Sequence, residues 1–315
     1  MRSHLLAFSL TAALSLGSSG CIKKTLTDGQ IEGTRQGAGG VDSIADYELG
    51  RTAAAAGIAQ FEGMHVLSPD NANALFLLMK TWAGYGFGFC EDDLQAAQDA
   101  GDDDLVEYHK RRTRNAYDRS IFYGLQLMGQ KAQGWEAAKK NEATMTKWLN
   151  DNFTSKDDAS MLLWTGQAWL LRTNVMKGDD VEGPVFIADL WIGVALVNRA
   201  VQLDPSAEHY GGLVVLAGYH ARNAMAELPE SKKDFDEALA KTEDKSLLVR
   251  FTYATTYDCV KGDSAAYQDN LNKVLQAADP DPGQRLVNTI AKRRAKRWLS
   301  KRRAKDQCGF DIAGK

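Results

Sequence analysis

The stretch AVQLDP, residues 200–205, ends an apolar segment at a proline, and the same context recurs as MHVLSP at 64–69 and LQAADP at 275–280. Each proline closes an amphipathic segment and precedes another one. Residues 238–243 close a further segment midway between the last two prolines, so the spacing is roughly 36 to 39 residues, near the tetratricopeptide period of about 34. The pattern predicts an all-α fold, a tetratricopeptide-like array of helical hairpins (an α-α superhelix). A generic array of paired helices is the alternative.

The segments between these turns also have helical character. Residues 43–67 carry apolar side chains at helical spacing, with Asp42 and Ser43 as candidate N-caps. The stretch DASMLLWTGQAWLLRTNVM, residues 158–176, is apolar nearly all round, which is typical of a buried helix. Strand alternation with hairpin turns is hard to find anywhere in the chain.

The composition is that of an ordinary globular protein. The 315 residues are 44% hydrophobic and 25% charged, and the formal net charge is −3. No basic surplus favours nucleic acid as a partner.

The N-terminus has the form of an export signal. Arg2 and His4 precede an apolar run from Leu5 to Leu16, and SLGSSGC follows at 15–21. We predict a lipoprotein signal peptide over 1–20, a lipid-anchored flexible linker over 21–42, and a helical domain over 43–310. Acylation of Cys21, for example with palmitate, is the favoured interpretation, although Ser18 stands where a leucine is usual. Ordinary cleavage before Cys21 is the alternative.

Searches for a catalytic or metal site find no convincing motif. GYGFG at 84–88 lacks the third glycine of a dinucleotide-binding fingerprint, and no P-loop is present. His209 and His220 are too far apart on one helix to share a metal. The acidic run from Glu91 to Asp104 is interpreted as helix caps, with a cation site as the alternative. We therefore expect no cofactor, no metal and no enzymatic activity. A hydrolase with an unrecognised carboxylate pair stays an alternative.

Three cysteines follow Cys21. Cys90, Cys259 and Cys308 allow one internal disulfide at most in an exported protein, and the sequence does not show which pair forms it.

The last predicted helix, residues 285–310, is strongly basic. Its apolar side can face a core, and its polar side carries Lys292, Arg293, Arg294 and Arg297. A solvated face that ends the array is one interpretation. The other is a docking surface for an acidic partner or for anionic lipid near the anchor.

Four pieces of the sequence carry a family resemblance. They are FEGMHVLSPDNANALFLLMKTWAGYGFGFCEDD (61–93), KRRTRNAYDRSIFYGLQLM (110–128), VNRAVQLDPSAEHYGG (197–212) and RLVNTIAKRRAKRWL (285–299). On these motifs the chain resembles the TRAP-transporter-associated tetratricopeptide lipoproteins, the TatT family. The sequence departs from the family pattern at Cys90, in the longer step DPSAEHY at 204–210, and in its closing DQCGF.

The resemblance implies a lipid-anchored periplasmic protein that assembles as a trimer, with a hydrophobic hollow in each protomer. It also implies that the chain binds the periplasmic solute-binding protein of a TRAP transporter and helps to transfer an apolar ligand. A general envelope-assembly scaffold of tetratricopeptide type is the alternative. Because isoleucine rather than aspartate follows Cys21, the outer membrane is the expected destination. The hypothesis for the lining of the hollow names Trp82, Tyr85, Phe87, Phe89, Tyr117 and Trp164, and plain core packing of these residues is its alternative.

Overall fold

The computed structural model describes residues 24–222 and 225–312, and it contains no strand among them. The predicted all-α fold is confirmed. The predicted signal peptide (1–20) and Cys21 lie outside the described residues. The α-helices are α1 (24–37), α2 (Tyr47–Leu67), α3 (Ala72–Tyr85), α4 (Glu91–Ala100), α5 (Asp103–Lys131), α6 (Trp135–Ala138), α7 (Glu142–Asn152), α8 (Ala159–Met176), α9 (Gly183–Ala188), α10 (Leu190–Leu203), α11 (Ala207–His220), α12 (Leu228–Lys241), α13 (Leu247–Tyr253), α14 (Cys259–Lys261), α15 (Ser264–Gln276), α16 (Arg285–Trp298) and α17 (Lys301–Cys308).

The helices pack as a succession of neighbours, α2 on α3, α3 on α5, α5 on α8, α8 on α10 and α10 on α11. The predicted proline turns separate successive helices. Pro69 lies between α2 and α3, where the Asn71 side chain caps α3 by accepting hydrogen bonds from the backbone N–H groups of Asn73 and Ala74. Pro205 lies between α10 and α11, and Pro280 lies between α15 and α16. The helical-hairpin array is thus built on the turns that the sequence indicates.

A pair of glycines brings α8 and α10 close together. A Cβ atom on Gly166 would lie 2.8 Å from the carbonyl oxygen of Gly193, and one on Gly193 would lie 3.0 Å from the carbonyl oxygen of Gly166. Only a residue without a side chain allows two helix backbones to approach this closely. The segment Gly183–Leu203, which comprises α9 and α10, has the length and apolar character of a membrane span. Here α10 packs on α7, α8 and α11, as a core helix does.

The two ends of the array meet, so the helices form a closed ring. The helix α16 packs against α2 and against the 3-10 helix Ala38–Ser43. Thr289 donates a hydrogen bond to the carbonyl oxygen of Ala45 (3.0 Å), and the side chain of Leu286 fills the space above Gly50. The sequence predicts an array of hairpins, and the structure adds its closure.

The stretch GFGFC, Gly86–Cys90, forms a π-helical turn that joins α3 to α4. A Cβ atom on Gly86 would meet the Tyr117 ring at 2.9 Å, and one on Gly88 would meet Ile290 of α16 at the same distance. The side chains of Tyr117 and Ile290 therefore pack directly against the backbone of the turn at these two glycines. The turn lies where the first half of the chain meets α16.

The N-terminal part of the domain differs from the prediction. The flexible linker predicted over 21–42 is wrong for the described residues, because 24–37 are helical and Ile31 is fully buried in the main core. The predicted N-caps Asp42 and Ser43 are also wrong. Asp46 caps α2 instead, because its side chain accepts from the backbone N–H of Leu49. The helix α1 packs on the domain because Ile31 supplies the apolar contact that a free tether lacks.

One cysteine pair is oxidised. Cys259 of α14 and Cys308 of α17 form a disulfide, whereas Cys90 is a buried free thiol. The disulfide lies near a second π-helical turn, Ala254–Asp258, which joins α13 to α14.

The carboxyl group of Asp258 predicts a pH effect on stability. The residue is 3% exposed, and burial raises the pKa of its carboxyl group to about 6. An unfolded chain has a lower aspartate pKa, near 3.9, so between about pH 4 and pH 6 the folded chain binds more protons and its stability falls as the pH rises. We expect Asp258→Asn to raise the free energy of unfolding in urea by about 1 kcal/mol at pH 8 and to leave it unchanged at pH 4.

The substitution preserves the local hydrogen bond, because Asn270 Nδ2 donates to Asp258 Oδ2 (2.7 Å) and the new amide oxygen can accept in the same place. Asp306→Asn, on the exposed side of α17, serves as the control and should change stability little at either pH. A lower stability of Asp258→Asn at pH 8 would contradict the prediction.

Candidate functional site

Three helices that are distant in the sequence meet at a charged pair beside an indole ring. Lys80 of α3 forms an ion pair with Glu208 of α11 (2.9 Å), and its ammonium group lies 5.4 Å from the centre of the Trp164 ring on α8. The two charged side chains are only partly exposed. Burial opposes ionisation of Glu208, but Lys80 and polar neighbours outweigh it and lower the pKa of this carboxyl group. Glu208 is therefore ionised at neutral pH.

The first turn of α11 has an unusual backbone that orients Glu208. Glu208, His209 and Tyr210 have positive φ angles of 49°, 56° and 63°. Residues with side chains adopt this left-handed region at an energetic cost, and such runs are common where function requires a particular geometry. The run lies in DPSAEHY, the segment in which the sequence departs from the family pattern.

Two further charges come from the N-terminal part of the domain. Arg35 of α1 lies over the Phe76 ring, with its guanidinium carbon 3.3 Å from the ring centre, and burial lowers the pKa of the guanidinium group. Asp42 is partly buried, and burial raises the pKa of its carboxyl group although Lys80 opposes this. Within residues 24–222 and 225–312, no group donates a hydrogen bond to the Asp42 side chain. We call Arg35, Asp42, Lys80, Trp164 and Glu208 the inner cluster.

The indole N–H of Trp164 has spare hydrogen-bonding capacity. Its Nε1 atom is buried and has no hydrogen-bond partner in the described structure. Glu208 is the nearby acceptor, and the N–H helps to lower the pKa of its carboxyl group, but the two groups do not meet the geometry of a hydrogen bond. Buried donors are normally paired, so a ligand oxygen at this position would supply the missing partner.

A groove of about 330 Å³ adjoins the inner cluster. It lies between α1, α3, α5 and the start of α8. Its lining combines the apolar side chains of Phe76, Leu127 and Met161 with charged and polar ones, among them Arg35, Lys131 and Asp157. Phe76 is one helical turn from Lys80 on α3, and Met161 is about one turn from Trp164 on α8. Side chains three or four residues apart lie on the same face of a helix, so Lys80 and Trp164 lie on the helix faces that also line the groove.

The arrangement is suited to binding a small amphipathic molecule. The cluster presents two cations, two carboxylates and an unpaired N–H next to a groove with an apolar side, which together can hold a small molecule with a polar head and an apolar body. In the part of the chain that the structure describes, no group of three or more His, Cys, Asp or Glu residues could hold a metal ion.

Only Trp164 of the six predicted lining residues reaches the inner cluster. The other five have contacts outside the inner cluster: Trp82 donates to Glu62, Tyr85 accepts from Arg112, Phe87 lies against Arg294, Phe89 packs on Tyr47, and Tyr117 donates to Glu91. Phe89 and Tyr117 are buried, as plain core packing requires, whereas Trp82, Tyr85 and Phe87 are only partly buried, and their place in the lining of a hollow stays a prediction.

The four predicted docking residues have partners within the chain. Arg293 and Arg297 both contact the carboxylate of Asp92, and Lys292 donates to the backbone carbonyl groups of Ala277 and Ala278. Arg294 is 2% exposed, so it cannot meet a partner protein or lipid. These contacts join α16 to the rest of the ring. Burial removes Arg294 from the predicted docking surface, whereas Arg293 is exposed and Lys292 and Arg297 are partly exposed, so docking through these three stays a prediction.

The acidic run is likewise divided between two structural roles. Asp102 caps α5, as the sequence predicts. Glu91 and Asp92 are instead buried beside the arginines of α16, which differs from the expected solvated caps. A buried carboxylate requires a cation close by, and α16 supplies it.

The comparison with known proteins agrees with this architecture. The sequence matches the family described as "TRAP transporter T-component" over residues 44–305. No curated protein matches the sequence. The matched range contains α2 to α16 and the Lys80, Trp164 and Glu208 part of the inner cluster, whereas Arg35 and Asp42 precede it. Because the match covers most of the 315 residues, the chain belongs to the TRAP transporter T-component family.

Proposed function

We propose that this TRAP transporter component is a non-enzymatic adaptor, anchored by a lipid on Cys21 to the periplasmic side of the outer membrane, that binds the solute-binding protein of the transporter. The family supports the association with a TRAP transporter. The signal-like N-terminus supports the anchor. The resemblance that carries these expectations also implies a trimer.

The ligand in this proposal is a small molecule with an apolar body and a polar or anionic head. The observation that carries it is that Phe76 and Met161 of the groove lie on the same faces of α3 and α8 as Lys80 and Trp164 of the inner cluster. The body would lie against Phe76, Leu127 and Met161, and an oxygen of the head would accept the unpaired N–H of Trp164. The resemblance implies an apolar ligand, and the proposal adds a polar or anionic head to it.

The test is a pull-down of the acylated chain from detergent extracts, with mass spectrometry of the retained proteins and small molecules. We expect the parent chain to retain a solute-binding protein and a small amphipathic molecule. Trp164→Phe keeps the ring and removes only the N–H, so the retained molecule should fall about tenfold, the equivalent of one lost hydrogen bond of about 1.4 kcal/mol.

The matched control is Trp82→Phe, whose N–H donates to Glu62 away from the groove. Retention should stay at the parent level in this variant. Leu127→Trp, which narrows the groove, should reduce retention without lowering the thermal midpoint by more than a few degrees. Equal retention in Trp164→Phe and Trp82→Phe would refute the ligand site. Capture of envelope-assembly proteins in place of a solute-binding protein would favour the scaffold alternative.

A further inference from the structure

The first described helix leaves little chain between the proposed anchor and the domain. The described part of α1 starts at Lys24, only three residues after Cys21. Consecutive Cα atoms are 3.8 Å apart, so Cys21 lies at most about 11 Å from the start of α1. An acylated cysteine lies at the headgroup level of the bilayer, so this short connection holds the start of α1 close to the membrane surface.

The helix α1 is firmly attached to the turn between α2 and α3. Asp28 accepts hydrogen bonds from Ser68 Oγ (2.7 Å) and from Asn71 Nδ2 (2.9 Å). Further along, Ile31 is fully buried and Arg35 packs on Phe76. Because α1 cannot swing freely, its start and the α2–α3 turn must approach the bilayer together.

This end of the molecule exposes large apolar side chains. Leu26 is 71% exposed, and Val66 and Leu67, just before Ser68, are 75% and 66% exposed. Lys24 is also largely exposed beside them. Its ammonium group forms an ion pair with Asp28 (2.9 Å), and a lysine at the headgroup level can also donate to lipid phosphates. Apolar side chains near lipid headgroups with a neighbouring lysine are typical of a surface that enters the membrane interface.

We infer that Leu26, Val66 and Leu67 form a membrane-facing surface that inserts into the outer part of the bilayer and sets the orientation of the ring. The inference rests on the proposed acylation of Cys21. The occupant of this surface is the lipid to which the chain itself is attached, since the anchor lies within reach of the same helix end. The ring is thereby held against the bilayer rather than suspended on a tether.

The test uses the acylated chain in phosphatidylcholine vesicles whose acyl chains carry bromine, which quenches tryptophan on contact. Val66→Trp and Leu67→Trp are compared with Val185→Trp on α9, also an exposed apolar position. Gln130 of α5 donates to the α2–α3 turn at Asp70, and Arg114 of α5 contacts Glu182 before α9. These sixteen residues of α5 span about 24 Å, so the control position lies far from the proposed surface.

We expect brominated lipid to quench the tryptophan fluorescence added at positions 66 and 67 at least threefold more than the fluorescence added at position 185. Insertion of ten Gly and Ser residues between Lys23 and Lys24 should lower this quenching by half or more. Equal quenching at the three positions would refute the membrane-facing surface. Unchanged quenching after the insertion at Lys23–Lys24 would refute the role of the short connection in holding that surface against the bilayer. The mass of the native chain is measured first. A chain without acyl groups would refute the anchor in the proposed function as well, whereas an acylated chain with uniform quenching would refute only the membrane-facing surface.

Discussion

Arg294→Met should destabilise the protein by about 3 to 5 kcal/mol, because it leaves a buried carboxyl group without its counter-charge. Arg294 and Glu91 are 2% and 8% exposed, and their closest side-chain atoms are 3.4 Å apart. Arg294 also donates to the carbonyl oxygen of Phe87 and covers the Phe87 ring, with its guanidinium carbon 4.1 Å from the ring centre. Methionine preserves much of the volume but none of these polar contacts. Urea unfolding at pH 7.5 measures the loss.

The pH dependence of this variant identifies the cause. Burial raises the pKa of Glu91, and Arg294 opposes that rise. Without the arginine the folded-state pKa rises further above the unfolded value, so the added loss is largest at neutral pH and shrinks as the pH falls and the buried carboxyl group becomes protonated in the folded state of both proteins. The difference in the free energy of unfolding between variant and parent should therefore be smaller at pH 4.5 than at pH 7.5.

Two controls separate the buried charge from a general packing defect. Arg302→Met removes an exposed arginine paired with Asp306 one turn away and should cost less than about 1 kcal/mol. Adding Glu91→Gln to Arg294→Met removes the unpaired charge and should recover part of the stability. A loss below 1 kcal/mol for Arg294→Met, or one that does not change with pH, would contradict this account.

Loss of the Cys259–Cys308 disulfide should destabilise the oxidised protein by up to about 4 kcal/mol. The bridge joins residues 49 positions apart, and closing a loop of this length in the unfolded chain costs about that much conformational entropy. Cys308→Ser removes the bridge, and urea unfolding without reductant compares it with the parent. The helix α17 is also held by the contacts of Arg303 with Asp99 and Gln95, so we expect it to remain folded in the variant.

Addition of a thiol reductant supplies the control for this prediction. It should lower the stability of the parent to that of Cys308→Ser and leave the variant unchanged. Cys90 does not interfere, because burial raises the pKa of its thiol to about 11 and keeps it unreactive at neutral pH. A parent protein equally stable with and without reductant would show that the bridge contributes nothing.

The helices and their turns could be predicted from the sequence because their causes are local. Helical spacing of apolar residues and the prolines after 64–67, 200–203 and 275–278 were sufficient to place the hairpin turns. The capping signal was less certain, since Asp42, Ser43 and Asp46 are all acceptable N-caps and only the backbone of the folded chain shows that α2 begins after Asp46.

The aromatic residues were harder to place. A tryptophan or tyrosine in an apolar helix can face either a ligand or a neighbouring helix, and the choice depends on the partner helix. Trp164 faces the inner cluster, whereas Tyr117 lies in the core beneath Gly86. Nothing in the sequence indicates that Lys80 and Glu208 form an ion pair, because isolated charges on amphipathic helices are ordinarily solvated. The departure at DPSAEHY was the one signal near the site.

By itself, therefore, the sequence determined the helical class, the hairpin turns and the family resemblance, all of which follow from short-range periodicity and motifs. Only the tertiary structure decided that the array closes on itself, that the arginines of α16 neutralise Glu91 and Asp92, and that Lys80 meets Glu208 beside Trp164. The physical reason is separation along the chain. Lys80 and Glu208 are 128 residues apart, and Asp92 and Arg297 are 205 apart, so their contacts depend on how every intervening helix pair stacks.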